Sequence, residues 1–154
     1  MTPKDYALIA ARAADSKKGS DIVIQHVSEL LVITDYFVIV TGANDRQVAA
    51  IADEVEEQLL KEAHIKPIGR EGMDDRKWIL LDFGELVVHV LQPAERDFYR
   101  IETLWNDAPL VDLAEAGIEA PILSTRPVDE MADEESIPDS SNRERGENDT
   151  EVLG

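Results

Sequence analysis

The chain has 154 residues, a hydrophobic fraction of 44%, no cysteine, and a net charge of −18 from 33 acidic and 15 basic residues. That apolar content supports one domain with a real core, and the missing thiols exclude disulfide scaffolds, thiolate nucleophiles and zinc–thiolate sites. The acidity disfavours direct binding to a phosphate backbone and suits a basic protein partner.

His26, His64 and His89 are the only histidines, and none has a second at helical metal-ligand spacing. No metal or cofactor is therefore expected. No run approaches the roughly 20 apolar residues of a membrane span. The opening Met1-Thr2-Pro3-Lys4-Asp5 lacks the apolar region of a signal peptide and is acidic too early for a transit peptide, so a cytoplasmic location is expected.

In chain order, Tyr6, Ile9, Ala10 and Ala13 follow helical spacing, which predicts an amphipathic helix over about 3–18 behind a Thr2-Pro3 cap. Asp21–Val27 and Asp35–Thr41 read as strands, the second apolar enough to be covered on both faces. Gly42 breaks that strand, and Asn44 or Asp45 can cap a helix with Val48, Ile51, Ala52, Val55 and Leu59 on one stripe. A short strand is expected at 66–70, then a tight antiparallel hairpin of Trp78–Phe83 and Glu85–Leu91 around Gly84. Helical spacing returns over Ala94–Trp105 through Phe98, Ile101, Leu104 and Trp105.

The sum is an α/β (α+β) domain, a mixed β-sheet flanked by helices, over residues 1–118. Residues 119–154 hold 11 acidic and 3 basic residues, no aromatic residue, and Pro121, Pro127 and Pro138. Such a stretch cannot bury enough apolar surface to offset its ordering entropy, so a disordered acidic tail is expected, with a short docked segment at Ile118–Leu123.

Six blocks stand in an order that resembles the ribosomal silencing factor (Iojap-like) family: Asp35-Tyr36-Phe37-Val38-Ile39; Gly42 with Arg46-Gln47-Val48; Glu71-Gly72; Trp78 through Gly84; Val88-His89-Val90; and Tyr99 through Trp105. The resemblance covers residues 3–108 and leaves the acidic tail outside the family pattern. It implies a nucleotidyltransferase-like architecture, frequent homodimers, and binding to the fourteenth large-subunit ribosomal protein, on the face of the large subunit that meets the small one. Occupying that face prevents subunit joining and lowers translation when nutrients are scarce.

An architecture of that kind raises nucleotidyl transfer as a rival, but the residues lack its parts. The turn Gly42-Ala43-Asn44-Asp45 has no serine, the later strand offers Asp82 alone, and no Asp-x-Asp pair lies on a strand. A Gly-x-Ser-x-Gly elbow is also missing. The expectation is a binding protein and not an enzyme. An assembly factor on the same ribosomal surface and a vestigial nucleotide binder are the alternatives.

Partner-binding candidates follow from strand alternation. Trp78, Leu80 and Asp82 share one face and Ile79, Leu81 and Phe83 the other. If the second set packs inward, Trp78 and Leu80 form an exposed apolar pair beside a carboxylate, and Trp is the residue type most enriched at interface hot spots. Glu71, Asp74, Asp75 and Asp82 can meet cations of a basic partner. His89 is either a partly buried strand histidine bonded to a neighbour or part of the binding face. Tyr99 joins the candidates on the last helix, where i, i+3 spacing would let it touch Arg96 and Glu102. Asp35 and Tyr36 read as structural.

Deleting residues 124–154 is expected to leave the thermal unfolding transition almost unmoved, measured by calorimetry on the full and shortened chains. A large fall in Tm would show that this segment packs on the domain.

Overall fold

The computed structural model describes residues 1–28 and 33–119; the expected acidic tail beyond 119 lies outside them. Helix α1, Pro3–Ser16, begins where Thr2 accepts the Asp5 amide and donates its own amide back to the Asp5 carboxylate. This reciprocal cap satisfies donors that the first turn leaves free. Strands β1 (Ser20–His26) and β2 (Tyr36–Thr41) follow, then helix α2 (Asp45–Ala63), strands β3 (Gly69–Glu71), β4 (Trp78–Asp82) and β5 (Leu86–Leu91), and helix α3 (Pro93–Tyr99). Two 3-10 helices, Ile101–Trp105 and Leu113–Ala116, close the described chain.

The five strands form one mixed sheet in the order β1-β2-β5-β4-β3, with β2 and β5 parallel and every other pair antiparallel. The central pair is the most apolar, because a parallel pair in the middle of a sheet meets protein on both sides. Val38, Val40, Val88 and Val90 point to the face carrying α1 and α2, where Ile79, Leu81, Ala10, Ala14, Ile51, Val55 and Leu59 complete the main core. The opposite face carries a second, small cluster of Ile39, Leu91 and Ile101, with Val23, Phe37 and Trp78 against it. The two faces are therefore covered very unequally.

Most expected elements are present with their ends moved by a few residues. The short strand sits at 69–71 instead of 66–70, and the hairpin turns on Gly84, which has a φ of 90°. The last helix departs more. Continuous helix was expected over Ala94–Trp105, but α3 stops at Tyr99, Arg100 takes a left-handed φ of 46°, and a 3-10 turn follows. The break lets Ile101 drop into the second cluster and leaves Phe98 and Leu104 exposed at 79% and 67%, off the buried stripe their spacing implied.

One loop carries a severe backbone constraint. Gly72 has a φ of 81°, and a Cβ there would stand 1.9 Å from the Trp78 carbonyl oxygen. Replacing Gly72 with Ala combines positive-φ strain with a clash against backbone, so a loss of about 2 kcal/mol or more is expected in urea unfolding. An unchanged midpoint would show that the turn has another conformation available.

Candidate functional site

Strand alternation places Trp78, Leu80 and Asp82 with Phe37, Ile39, Val87 and His89 on the face away from α1 and α2. The inward packing of Ile79, Leu81 and Phe83 is complete. Trp78 and Leu80 are half-buried, where the alternation alone suggested an exposed pair, and Tyr99 of α3 packs on the Trp78 indole. Glu71 pairs with Leu80 across the β3–β4 ladder, so its exposed carboxylate belongs to the same face. Its neighbour Arg70 points the other way and forms a two-pronged ion pair with Glu56 on α2, both contacts at 2.8 Å.

Three aromatic side chains form a ladder from the sheet outwards. The Trp78 and Tyr99 ring centroids are 5.0 Å apart, and Tyr99 meets Phe98 edge-on at 4.9 Å. Tyr99 is 51% exposed, so the outer end of the ladder is open to solvent. The i, i+3 spacing set Tyr99 beside Arg96 and Glu102. Arg96 instead reaches Glu102 at 3.1 Å and the Thr41 hydroxyl at 2.8 Å, buried beneath α3. Phe98 is what the spacing argument missed: only the break at Arg100, invisible to periodicity, turns it outwards.

His89 answers to the first of its two readings. It is 7% exposed, and its Nδ1 accepts the Trp78 indole N–H at 3.2 Å. A neutral ring that accepts at Nδ1 carries its proton on Nε2, and that atom has no hydrogen-bond partner among the described residues. Phe37 packs edge-on against the ring at 5.0 Å. Burial, with Arg96 nearby, pushes the imidazole pKa down to about 4. The ring is therefore neutral at physiological pH.

The carboxylates are dispersed. Asp82 is half-buried at the hairpin end of β4, where one oxygen accepts the Gly84 amide at 2.8 Å. Asp74 and Asp75 lie exposed in the turn at the other end, and Asp75 accepts the Lys77 amide at 3.3 Å. Arg76 and Lys77 stand in the same turn, also exposed. That turn is locally balanced, so the acidic rim reduces to Glu71 and Asp82.

The turn that a phosphate would need is already occupied by its own side chains. Asn44 accepts the Gln47 amide at 2.9 Å and Gln47 accepts the Ala43 amide at 2.6 Å. The Gln47 amide group also ties α2 to the Lys17 and Lys18 carbonyls at 3.0 Å. No group of three or more acidic or histidine side chains among the described residues is placed to hold a metal ion. Nor is any described helix long and apolar enough to cross a membrane.

The geometry defines an α+β domain with one sheet face buried and the other only partly roofed. The chain matches the family described as "Ribosomal silencing factor during starvation" over residues 1–149, well past the 3–108 span expected from the motif blocks and into the acidic segment. It is 42% identical over 113 residues to the ribosomal silencing factor RsfS of Bacillus subtilis, covering 73% of this chain and 95% of that one. A crystal structure of a Chromobacterium violaceum protein superposes with a TM-score of 0.65 at 39% identity, covering 68% of this chain and 87% of that one. A Mus musculus relative, "Mitochondrial assembly of ribosomal large subunit protein 1", is 33% identical over 92 residues, covering 58% of this chain and 40% of that one. The protein belongs to the ribosomal silencing factor family.

The depressed His89 pKa has a measurable consequence. The unfolded ring takes up a proton below about 6.5, whereas the folded ring resists until about pH 4. The unfolded state then binds more protons across that window, so stability falls as pH drops through it. Between pH 7 and pH 5 this group should account for roughly 1–2 kcal/mol of lost stability. A His89→Gln chain, unfolded in urea at both pH values, should lose correspondingly less than wild type; equal losses would refute it.

Proposed function

We propose that the protein represses translation by docking on the large ribosomal subunit through the partly roofed sheet face, without making or breaking a covalent bond. The observation that carries this reading is the aromatic ladder Trp78–Tyr99–Phe98, standing open to solvent in a member of this family. Exposed aromatic surface of this kind is what interface hot spots are made of. Leu80 shares the sheet face with Trp78, while Glu71 and Asp82 offer carboxylates to a basic surface. The net charge of −18 suits a basic ribosomal protein, which we take to be the fourteenth of the large subunit, on the face that meets the small subunit. Bound there in the cytoplasm, the domain's bulk blocks subunit joining when nutrients are scarce. Occupancy suffices for this, so no cofactor is invoked.

A second reading is a role in large-subunit assembly, favoured by the name of the mouse relative. Gradient profiles of a deletion strain separate the two. Precursor particles during growth indicate assembly; an excess of joined ribosomes during starvation indicates silencing. A homodimer through the same face would compete with docking and would show as a concentration-dependent loss of subunit binding.

The direct test is retention of the purified protein on separated ribosomal subunits. Wild type should be held by large subunits alone. Phe98→Ala, at a position 79% exposed, should keep its Tm yet lose at least about 1 kcal/mol of binding, and Trp78→Ala should lose more. Retention on small subunits, or undiminished binding by both variants, would sink the proposal.

A further inference from the structure

The docking surface is shaped by a polar contact that packing alone does not demand. Trp78 opens β4 half-buried, and its indole lies between two rings: His89 on the sheet below, 6.0 Å away and tilted by 52°, and Tyr99 on α3, 5.0 Å away and tilted by 48°. A tryptophan held only by apolar contacts can turn its indole about χ2, a broad torsion with no single strongly preferred setting. In the structure the indole N–H is satisfied by the imidazole, donating from Nε1 to His89 Nδ1 at 3.2 Å. A half-buried N–H without an acceptor is costly, so the acceptor selects the orientation.

The acceptor is itself held fast. Phe37 packs on the His89 ring from β2, and the strand pairing sets His89 between Leu80 on β4 and Ile39 on β2. Burial of the ring first, and then the positive charge of Arg96, which Thr41 and Glu102 hold in place, disfavour an imidazolium and so keep the Nδ1 lone pair free.

We propose that His89 is a positioning residue: buried out of a partner's reach, it fixes the Trp78 indole against Tyr99 and thereby sets the contour of the docking surface. This rests on the docking reading above, and it moves His89 from the binding face to the layer beneath. An indole fixed before encounter loses less freedom on binding than one that must be ordered by the partner.

The test uses the full chain labelled with 15N, which has only two indoles, Trp78 and Trp105. The Trp78 indole N–H signal, assigned with Trp78→Phe, is read in wild type, His89→Leu and His89→Gln, beside retention on purified large subunits and the Tm of each. His89→Leu removes the acceptor at similar volume. It should shift the indole signal, speed its hydrogen exchange, and weaken retention by at least about fivefold. His89→Gln, whose side-chain oxygen can accept, should restore both readouts in part, even if its Tm does not recover.

A leucine variant that folds with the indole signal unmoved overturns the proposal, as does one whose signal moves while retention stays at the wild-type level. Should the leucine variant not fold, Trp78→Phe deletes the donor from the other side, and retention equal to wild type would likewise overturn it. Wild type that fails to bind large subunits sinks the docking reading and with it the role of the contour. The indole signal still reports separately whether His89 holds Trp78.

Discussion

The guanidinium of Arg96 lies buried beneath α3, bonded to Thr41 at the end of β2 and to Glu102 in the turn beyond. A buried charge left without partners is far more costly than one fully bonded. The segment from α3 to Trp105 is therefore tied to the sheet at this point more firmly than its few apolar contacts could tie it. Gln25 adds a second strut, donating to the Glu102 carbonyl at 2.8 Å. Everything on this face follows: Ile101 sits over Ile39 and Leu91, Tyr99 reaches Trp78, and the remainder of the face is left partly open.

The opposite face shows what full coverage looks like. There α1 and α2 bury a continuous apolar layer by ordinary amphipathic packing, and among the described residues no buried charged side chain lies in it. A sheet with one such face is already stable, which frees the other from carrying the whole core. The polar groups collect where the cover is thin. Of the five buried polar side chains among the described residues, Arg96, Gln25, Thr41 and His89 lie on the partly roofed side, and the fifth, Thr34, precedes β2.

The sequence made the well-covered half easy to read, since periodicity reports burial on one face. The stripe Val48, Ile51, Ala52, Val55 and Leu59 is the buried stripe of α2, and the alternation from Trp78 to Phe83 assigns both faces of β4 correctly. The last helix escaped for the same reason. Phe98, Ile101, Leu104 and Trp105 keep helical spacing, but the left-handed Arg100 and the 3-10 turn change the rotation per residue, so equal spacing no longer means a shared face. Pairings that depend on that rotation, such as Arg96 with Glu102 and Trp78 with Tyr99, were out of reach. His89 was half legible: alternation gave its face, while its bond to Trp78 required the β4–β5 register. Family membership was legible from six short blocks, because their order carries more information than any one of them.

Magnitudes decide which part of the surface governs affinity. Exposed ion pairs typically contribute a fraction of a kcal/mol each and weaken with salt. The turn from Asp74 to Lys77 is already balanced in charge, and Asp82 is engaged with Gly84, so few carboxylates here are free to gain by pairing. Burying one large aromatic side chain is worth roughly 1.5–3 kcal/mol, and Phe98 and Tyr99 stand exposed to offer it. On the docking we propose, the acidity of the chain acts mainly at long range, raising the encounter rate with a basic partner and repelling bare phosphate backbone. In that proposed docking, residence time depends on how well the ladder fits, and that fit on an indole whose N–H is bonded one layer below the surface.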